Sequence, residues 1–499
     1  MWTTFGIGAG SVHRTHDGVN GKHLILRVGW QRFGREQVRR ITVSRKNVVI
    51  PVGLAFVAVV VAAVNLRAGI ASLGPVLSDV LGAFGASGSL AGLITAMPGV
   101  LFGIMGLCAV PLARRMGLSR VIVIGMVLAL VGLAARPWVG GIAWFILLSG
   151  LVVAGIAVGN VLIPAWVKSY GGRRTVAMMT AYGALLGLSG ALGPLSALWF
   201  SGDDAWRWAL FVWGVLAAVQ VVVWLGVAWR TGFDFPSTPE PEPVPAEPGS
   251  DAPASADASG DAASGDAASG DAASGDAASG DAASGDAAAT RAALTSVSLW
   301  RSPTAVFLTM FFALQSMNAY LQMGWMPQMY VDAGVSRDTA SVALSLVGAL
   351  NILGGLLMPT IIDRARSLAP FPLVFAVLTA AGYLGILLVP TTTPLLWAFL
   401  LGIGGFCFPT AIALIPARSR SPLVTARLSG FVQPMGYFLA GLGPFAIGLV
   451  YEATGSWTVI LSTLVVLSLV MGLVGVKAGR NSIIDDELTA PHRREYTGH

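Results

Sequence analysis

The chain contains twelve apolar runs of roughly 20 residues, and this feature restricts its fold more than any other. Each run is long enough to cross the ~30 Å hydrocarbon core of a bilayer as an α-helix. Lipid offers no partner to backbone N–H and C=O groups, so a spanning segment must satisfy them internally, as a helix does. Apolar residues make up 55% of the chain and charged residues only 11%. The sequence therefore predicts an all-α integral membrane protein.

The twelve runs form two groups of six, separated by a long polar segment. The first six predicted spans cover residues 49–77, 87–110, 119–136, 142–167, 174–200 and 207–229. The second six cover residues 303–330, 339–361, 371–389, 394–416, 427–450 and 457–477. We predict six-helix bundles at residues 48–230 and 299–478, a basic tail at 1–47, a linker at 231–298 and a second tail at 479–499.

The predicted linker has a composition that does not form a core. It contains the stretch "PSTPEPEPVPAEPGS" and five "DAASG" units from Asp261 to Gly285. Small, acidic and polar residues bury too little apolar surface to offset the entropy lost on ordering. We predict a disordered tether between the bundles, with a docking segment for a partner as the alternative.

Two repeated tripeptides indicate that the bundles are related. "IPA" occurs at residues 163–165 and 415–417, and "LGP" occurs at 192–194 and 442–444. The separations of 252 and 250 residues nearly agree, and each pair falls on equivalent spans. The pattern predicts two pseudo-symmetric bundles around a central cavity, an arrangement typical of secondary transporters.

The basic residues predict the orientation. Of 31 Lys and Arg residues, 27 lie in the tails, the linker region and the loops on the same side of the membrane. Short basic loops stay in the cytoplasm, so both termini are predicted to be cytoplasmic. Only Arg136, Arg207 and Arg337 fall in the opposite loops. The net charge of +6 therefore reflects topology and not a nucleic-acid partner. Abundant Ala, Gly and Val, with little Lys beside Arg, favours a bacterial cytoplasmic membrane protein.

The sequence predicts neither an enzyme nor a bound cofactor or metal. Cys108 and Cys407 lie in apolar spans, and all five His residues lie in the tails. No nucleotide-phosphate loop, metal-ligand cluster or nucleophile motif is present. The predicted partners are lipid and a small-molecule solute.

Arg67 is the one basic residue that lies away from the ends of a predicted span, in "AAVNLRAGIASLGP". None of the 25 Asp and Glu residues lies deep in a span, and Asp79 is twelve residues away, ~18 Å along a helix. A buried cation of this kind usually faces a wet cavity or the bundle interior and serves function. The alternative is a cation that reaches toward the membrane surface or ties helices together.

The seventh span carries a polar stripe. Gln315, Asn318 and Gln322 are spaced i, i+3 and i+7, so they share one helix face, which Trp325 extends. Three amides on one face favour cavity lining over simple interhelical hydrogen bonding.

The eleventh span carries a second stripe, in which Ser429, Gln433 and Tyr437 follow at i+4 steps. Three further positions are secondary candidates, because lone polar groups in spans more often serve packing: Asn160, Tyr182 and Asn351. Lys168, predicted at the inner membrane surface, is either a gating or a topology residue.

Several blocks of the sequence resemble the major facilitator superfamily, in its cyanate and 2-nitroimidazole transporter (CynX/NimT) branch. These are "NLRAGIASLGPVLSDV", "SLAGLITAMPGVLFG", "GIAVGNVLIPAWVK", "FFALQSMNAYLQMGWMPQMYVDAGVS" and "ARLSGFVQPMGYFLAGLGPFAIGLVYEATGSW". The inner loop "PLARRMGLSR" is similar to the loop motif of the superfamily but lacks its Asp. The resemblance implies gating roles for Arg114 and Arg115 there, and for Asp363 and Arg364 in the matching loop of the second half.

The resemblance implies a transporter that moves a small polar or anionic, cyanate-like solute by alternating access. Arg67 would attract the anion, Gln315, Asn318, Gln322, Gln433 and Tyr437 would donate hydrogen bonds, and Trp325 would form an apolar wall. A coupling proton or a counter-transported anion is left open. The alternatives are a drug or metabolite efflux antiporter of the same superfamily, a channel-like or receptor-like protein and a membrane enzyme. Ser189 departs from the glycine spacing expected of the drug antiporters.

Overall fold

The computed structural model describes residues 50–234, 297–365 and 367–489, without the side chains at positions 359, 363, 422 and 423. The described part of the chain is helical and contains no strand. Twelve of its segments are long and apolar enough to span a membrane, which confirms the all-α fold with two sets of six spans. Residues 1–47, most of 231–298 and residues 490–499 lie outside the described residues, so the predicted tail and linker there stay predictions.

The spans are numbered in chain order. Spans 1 to 6 are Val52–Phe84, Gly88–Met116, Leu118–Trp138, Ile142–Tyr170, Gly172–Leu198 and Ala205–Thr231. Spans 7 to 12 are Pro303–Asp332, Arg337–Ile362, Pro370–Leu388, Pro394–Ala417, Val424–Thr454 and Trp457–Ala478. Spans 1 and 10 are interrupted, and their main helical pieces are Val52–Asn65, Ala68–Ala71, Leu77–Phe84, Pro394–Gly404 and Cys407–Ala417.

Spans 1 and 2 extend several residues beyond their predicted ends at residues 77 and 110. The extensions are amphipathic, with Asp79 in one and Arg114 and Arg115 in the last turn of the other. A helix continues through the membrane interface wherever water and polar neighbours solvate such side chains, so apolar content alone underestimates its length.

Contacts between loops define two sides of the molecule. On one side, which we call the tail side, Asp234 accepts hydrogen bonds from Ser119 and Tyr170. On the same side, Glu487 accepts hydrogen bonds from Ser302 and Thr304. We call the other end of the bundle the opposite side. The start of the predicted linker and of the second tail are thus fixed to the bundle.

A short helical segment at residues 484–489 continues this tail-side packing. Ile484 and Leu488 are fully buried. Arg418, predicted as a loop cation, is also buried there, and its guanidinium donates to the carbonyls of Ala478 and Gly479 at 3.3 and 2.7 Å. Removal from water lowers the pKa of Arg418 from its ordinary value. Residues 479–489 therefore belong to the second bundle and not to a free tail.

The two bundles meet closely toward the opposite side. Glycines allow the contact: a Cβ atom at Gly92 would lie 3.0 Å from Cα of Gly448, and one at Gly74 would overlap the carbonyl oxygen of Met323. At the surface on this side, Arg337 Nη1 forms an ion pair with Asp79 at 2.7 Å. These contacts close the space between the bundles on the opposite side.

Candidate functional site

A cavity of about 710 Å³ lies between the two bundles. Its size is within the range of about 300–1,000 Å³ that is usual for small-molecule sites. The wall includes Ile70 and Met323 at the closed opposite-side end and Val110, Ala426 and Gly430 toward the tail side, where these three residues are exposed. The cavity therefore extends from the middle of the bundle toward the tail side.

Arg67 lies on this wall at a break in span 1. The helix Val52–Asn65 ends just before it, and the next helix, Ala68–Ala71, begins just after it. A helix start leaves backbone N–H groups without intrahelical acceptors. Here Ser189 Oγ on span 5 accepts from the N–H groups of Arg67 and Ala68, at 3.1 and 2.8 Å. The break is thus stabilised from the neighbouring span, and it brings the Arg67 side chain to the cavity.

The guanidinium of Arg67 has no carboxylate or hydrogen-bond acceptor among the described residues. Its aliphatic stem passes over Gly190, and its Cζ atom lies 5.5 Å from the ring centroid of Phe408. A ring face attracts a cation, yet it leaves the N–H donors in the guanidinium plane available. The cavity wall contains Arg67 and no Asp or Glu residue. The site is therefore positive and offers unused donors.

The three amides predicted on span 7 all lie on the cavity wall. Gln315 donates to Ser316 Oγ at 2.6 Å, and Gln322 approaches the Tyr383 hydroxyl at 3.5 Å. The nitrogen of Asn318 donates to the carbonyl of Leu314, whereas its buried oxygen has no partner. These groups provide directional polar contacts for a bound solute.

Trp325 does not line the cavity, so the prediction that it forms an apolar wall is wrong. Its side chain is 1% exposed, and its Nε1 donates to Thr95 Oγ1 of the first bundle at 2.9 Å. The ring packs against Tyr451 and Trp457, with centroids 6.0 and 5.7 Å away. Trp325 lies about one helical turn beyond Gln322, past the end of the cavity and within the closed contact between the bundles.

Gln433 and Tyr437 of span 11 also lie on the wall, and Gln433 donates to Ser429 Oγ at 2.7 Å. Tyr437 belongs to an aromatic group that the sequence interpretation missed. Its ring centroid lies 5.5 Å from Phe102 and 6.3 Å from Tyr320, both of which line the cavity. These rings and Phe408 come from spans 2, 7, 10 and 11. Aromatic residues at such distant positions look like ordinary span residues, and only the fold brings them together.

The secondary candidates also line the cavity. Tyr182 donates to Asn160 Oδ1 at 3.2 Å, and the nitrogen of Asn160 donates to the carbonyl of Ile156 on its own helix. Asn351 donates to the carbonyl of Val347 in the same way. Both amides are thus partly occupied by their own helices.

The predicted gating residues lie on the tail side. Arg114, Arg115, Lys168 and Arg364 are exposed, and none has an ion pair or hydrogen bond to a described side chain. The side chain of Asp363 lies outside the described residues. Gating by this group stays a prediction.

Residues 55–442 match the family model of the Major Facilitator Superfamily, which is most of the chain. The chain belongs to the major facilitator superfamily. Its match spans both bundles, so the pseudo-symmetric arrangement and the central cavity are those of a superfamily transporter. The solved D-xylose-proton symporter shares this fold, with a TM-score of 0.64 at 12% identity over 85% of this chain and 97% of the symporter.

Curated relatives narrow the position of this transporter within the superfamily. An uncharacterized transporter of Bacillus subtilis, YycB, is 28% identical over 85% of this chain and 92% of its own length. The 2-nitroimidazole transporter of Escherichia coli is 26% identical over 85% and 94%. The cyanate transport protein CynX of Escherichia coli is 25% identical over 79% and 88%. The chain is therefore a multi-pass membrane transporter of small solutes in the CynX/NimT branch, and not an enzyme.

Proposed function

We propose that the transporter carries a small anion through the central cavity, with Arg67 as its main binding group. The observation that carries this proposal is the absence of any acceptor for the Arg67 guanidinium among the described residues. A cation inside the membrane-spanning bundle without a fixed counter-ion gains most from a mobile one. The planar guanidinium pairs with two acceptor atoms of one anion at once.

The substrate is a flat, nitrogen-containing or carboxylate-like anion. Relatives are named for cyanate and for 2-nitroimidazole, which are small and planar. The rings of Phe102, Tyr320, Phe408 and Tyr437 provide flat apolar surfaces near Arg67. Such surfaces suit a planar solute, while Gln315, Asn318, Gln322 and Gln433 provide hydrogen bonds at its edge.

Transport proceeds by alternating access in the cytoplasmic membrane of a bacterium. In the conformation described, the bundles are in contact on the opposite side and the cavity extends toward the tail side. The distribution of Lys and Arg supports a cytoplasmic tail side, and with that orientation this conformation is inward-facing. Binding of the anion shifts the equilibrium toward whichever state it contacts better.

A counter-transported anion fits this site better than a proton carried on a cavity carboxylate. No Asp or Glu residue lies among the residues that line the cavity. After release of the anion, the empty transporter would have to change from one open side to the other with Arg67 lacking a counter-ion. The positive site disfavours this step. Exchange of one anion for another avoids that step.

Purified protein tests the proposal by thermal shift against cyanate, thiocyanate, nitrate, benzoate, imidazole and 2-nitroimidazole. A ligand of the folded state raises the melting temperature as its concentration increases. We expect stabilisation by at least one anion, and trans-stimulated exchange of that anion in liposomes. Neither effect should occur with Arg67→Gln, whereas both should persist with Arg207→Gln, which alters an arginine at the surface of the opposite side. Stabilisation of the wild type by neutral solutes alone would contradict the proposal.

A further inference from the structure

A second, much smaller chamber of about 30 Å³ lies beyond the closed end of the central cavity. Ile70, Tyr320 and Met323 border both spaces and form the partition between them. The remaining walls come chiefly from the first bundle and include Gly69, Thr95, Arg136 and Ser149. The chamber is large enough to hold a water molecule.

Arg136 projects into this chamber, although the sequence predicts a loop cation at that position. It lies in the 3-10 turn that ends span 3 and is only 2% exposed. Its Nη2 donates to the carbonyl of Gly69 at 3.0 Å, but its Nε has no partner. No carboxylate forms an ion pair with it within the described residues. Arg136 is therefore a second buried cation whose charge the described protein does not neutralise.

A second polar group in the chamber is also without a partner. Ser149 on span 4 is 2% exposed, and its hydroxyl makes no hydrogen bond to the described protein. Burying an unpaired hydroxyl and an unpaired cation in one apolar chamber is costly unless a polar guest is present for part of the cycle. The guanidinium of Arg136 offers only hydrogen-bond donors, and the hydroxyl of Ser149 also donates. This combination suits an anion.

The chamber lies on the interface between the bundles. Tyr320, Met323 and Gly324 belong to the second bundle, whereas Arg136 and Ser149 belong to the first. In the proposed alternating-access cycle the bundles separate on the opposite side, so span 7 moves away from Arg136 and Ser149 and leaves them facing that side. The inference rests on this cycle, and it does not require Arg67 to bind the substrate.

We propose that Arg136 and Ser149 form a second anion-binding site, which captures a small anion from the opposite side before it reaches Arg67. The partition of Ile70, Tyr320 and Met323 separates the two sites in the conformation described, and its second-bundle residues move away when the opposite side opens. The chamber of about 30 Å³ limits the guest to a small inorganic anion such as cyanate or thiocyanate.

A purely structural role for Arg136 makes a different prediction. If the side chain only ties span 3 to the carbonyl of Gly69, no anion occupies the chamber, so thiocyanate gives no protection there and Arg136→Gln changes only the local charge and the stability. If it binds anions, the same substitution removes the attraction for negative charge around Ser149 while folding is preserved.

The experiment measures how fast Ser149→Cys reacts, in a protein with Cys108 and Cys407 replaced by alanine. Three membrane-impermeant or slowly permeant methanethiosulfonates are added from the opposite side: anionic sulfonatoethyl, cationic trimethylammonioethyl and neutral carbamoylmethyl reagents. Each rate is divided by the rate for the same reagent at Ala83→Cys, an exposed reference on the same side. The reaction rate of the neutral reagent measures how often the chamber opens to the opposite side. The ratio of the anionic to the cationic rate measures the charge near Ser149→Cys.

We expect the normalised anion-to-cation ratio to exceed one and to fall roughly fivefold or more with Arg136→Gln. Arg136→Lys should retain most of the preference. Sodium thiocyanate should slow the anionic and the neutral reagent, whereas sodium gluconate at equal ionic strength should not. A melting temperature near that of the parent protein will show that each variant is folded.

Three results would overturn the proposal. Reaction of the neutral reagent without an anion preference would refute anion attraction by Arg136 and leave the transport cycle intact. A preference without protection by thiocyanate would refute a binding site. No reaction with any reagent would show that the chamber does not open to the opposite side. None of these results bears on anion binding at Arg67, which the thermal-shift experiment tests separately.

Discussion

Ser189 Oγ accepts hydrogen bonds from the backbone N–H groups of Arg67 and Ala68, at 3.1 and 2.8 Å. These contacts join span 5 to the interruption in span 1 at which Arg67 lies. Ser189 itself is fully buried. The hydroxyl thus fixes the backbone from which the guanidinium reaches the cavity, and a change at Ser189 alters the site without touching the solute.

Ser189→Ala is predicted to weaken both stability and anion binding. Two buried N–H groups lose their acceptor, which costs about 1–3 kcal/mol for an unsatisfied group of this kind. The melting temperature should fall, and the anion concentration needed for half-maximal stabilisation should rise. Ser468→Ala is the matched control, since Ser468 is equally buried but donates only to the carbonyl of Leu464 on its own helix. Equal effects of the two substitutions on anion affinity would refute the special role of Ser189.

Removal of the ion pair between Asp79 and Arg337 is predicted to shift the equilibrium toward the state that is open on the opposite side. Both side chains are partly exposed, so the pair contributes about 0.2–1 kcal/mol to the closed opposite side. Asp79→Asn should increase the population that is open on that side by roughly 1.5- to 5-fold. Distances between spin labels at Ala83→Cys and Thr391→Cys, which lie on different bundles, measure this population. Restored closure in the charge-exchanged double variant Asp79→Arg with Arg337→Asp would support the pair, and an unchanged distance distribution in Asp79→Asn would contradict it.

Substitution of Trp325 is predicted to alter closure of the opposite side without altering the affinity for the anion. Trp325→Phe retains most of the ring packing but loses the hydrogen bond to Thr95, a loss of about 0.5–1.5 kcal/mol. The same spin-label pair should show more of the open population. Anion affinity measured in the state that is closed on the opposite side should stay within about twofold, because Trp325 does not line the cavity. A tenfold loss of affinity without a change in closure would place Trp325 at the binding site after all.

The "DAASG" repeats give a prediction that rests on composition alone. Shortening the run from five units to one should leave the melting temperature and the rate of anion exchange nearly unchanged, provided that the remaining chain still joins the bundles. Exchange and melting temperature are measured on the same purified variant. Loss of exchange in a stable shortened protein would instead indicate a docking or regulatory segment.

Apolar run length and basic loops predict most of this fold, because the bilayer imposes both patterns on the sequence. The break at Arg67 is different, since it depends on a hydroxyl 122 residues away that compensates for lost helical hydrogen bonds. Sequence periodicity does not detect such a partner. Ser189 attracts notice in the sequence only as a departure from expected glycine spacing, and its contacts give that departure a physical reason.

The cavity was predictable where polar residues follow helical spacing, as in the stripe of Gln315, Asn318 and Gln322. The same spacing gives a wrong prediction at Trp325. Helical spacing shows which face of span 7 a residue lies on, but it does not show how far along the span the cavity extends, and the cavity ends before Trp325. Arg136 shows the converse error. A cation beside a predicted loop is assigned to water by its position, whereas here Arg136 begins a 3-10 turn at the end of span 3 and its side chain donates to the carbonyl of Gly69 inside the bundle.

The most direct test of the account compares anion-dependent stabilisation and melting temperature in wild type, Arg67→Lys and Arg67→Gln. A bound anion loses a charge-assisted bidentate contact in the glutamine variant, a loss of about 1.5–3 kcal/mol, which corresponds to roughly 10- to 150-fold in affinity. The lysine variant keeps the charge without the planar fork, so its affinity should fall less.

Both variants should fold and insert, because removing an unpaired cation leaves no buried acid without a partner. The account predicts ligand-free melting temperatures close to that of the wild type together with this graded loss of affinity. A stable Arg67→Gln protein that binds the identified anion with undiminished affinity would contradict the central claim that Arg67 binds the transported solute.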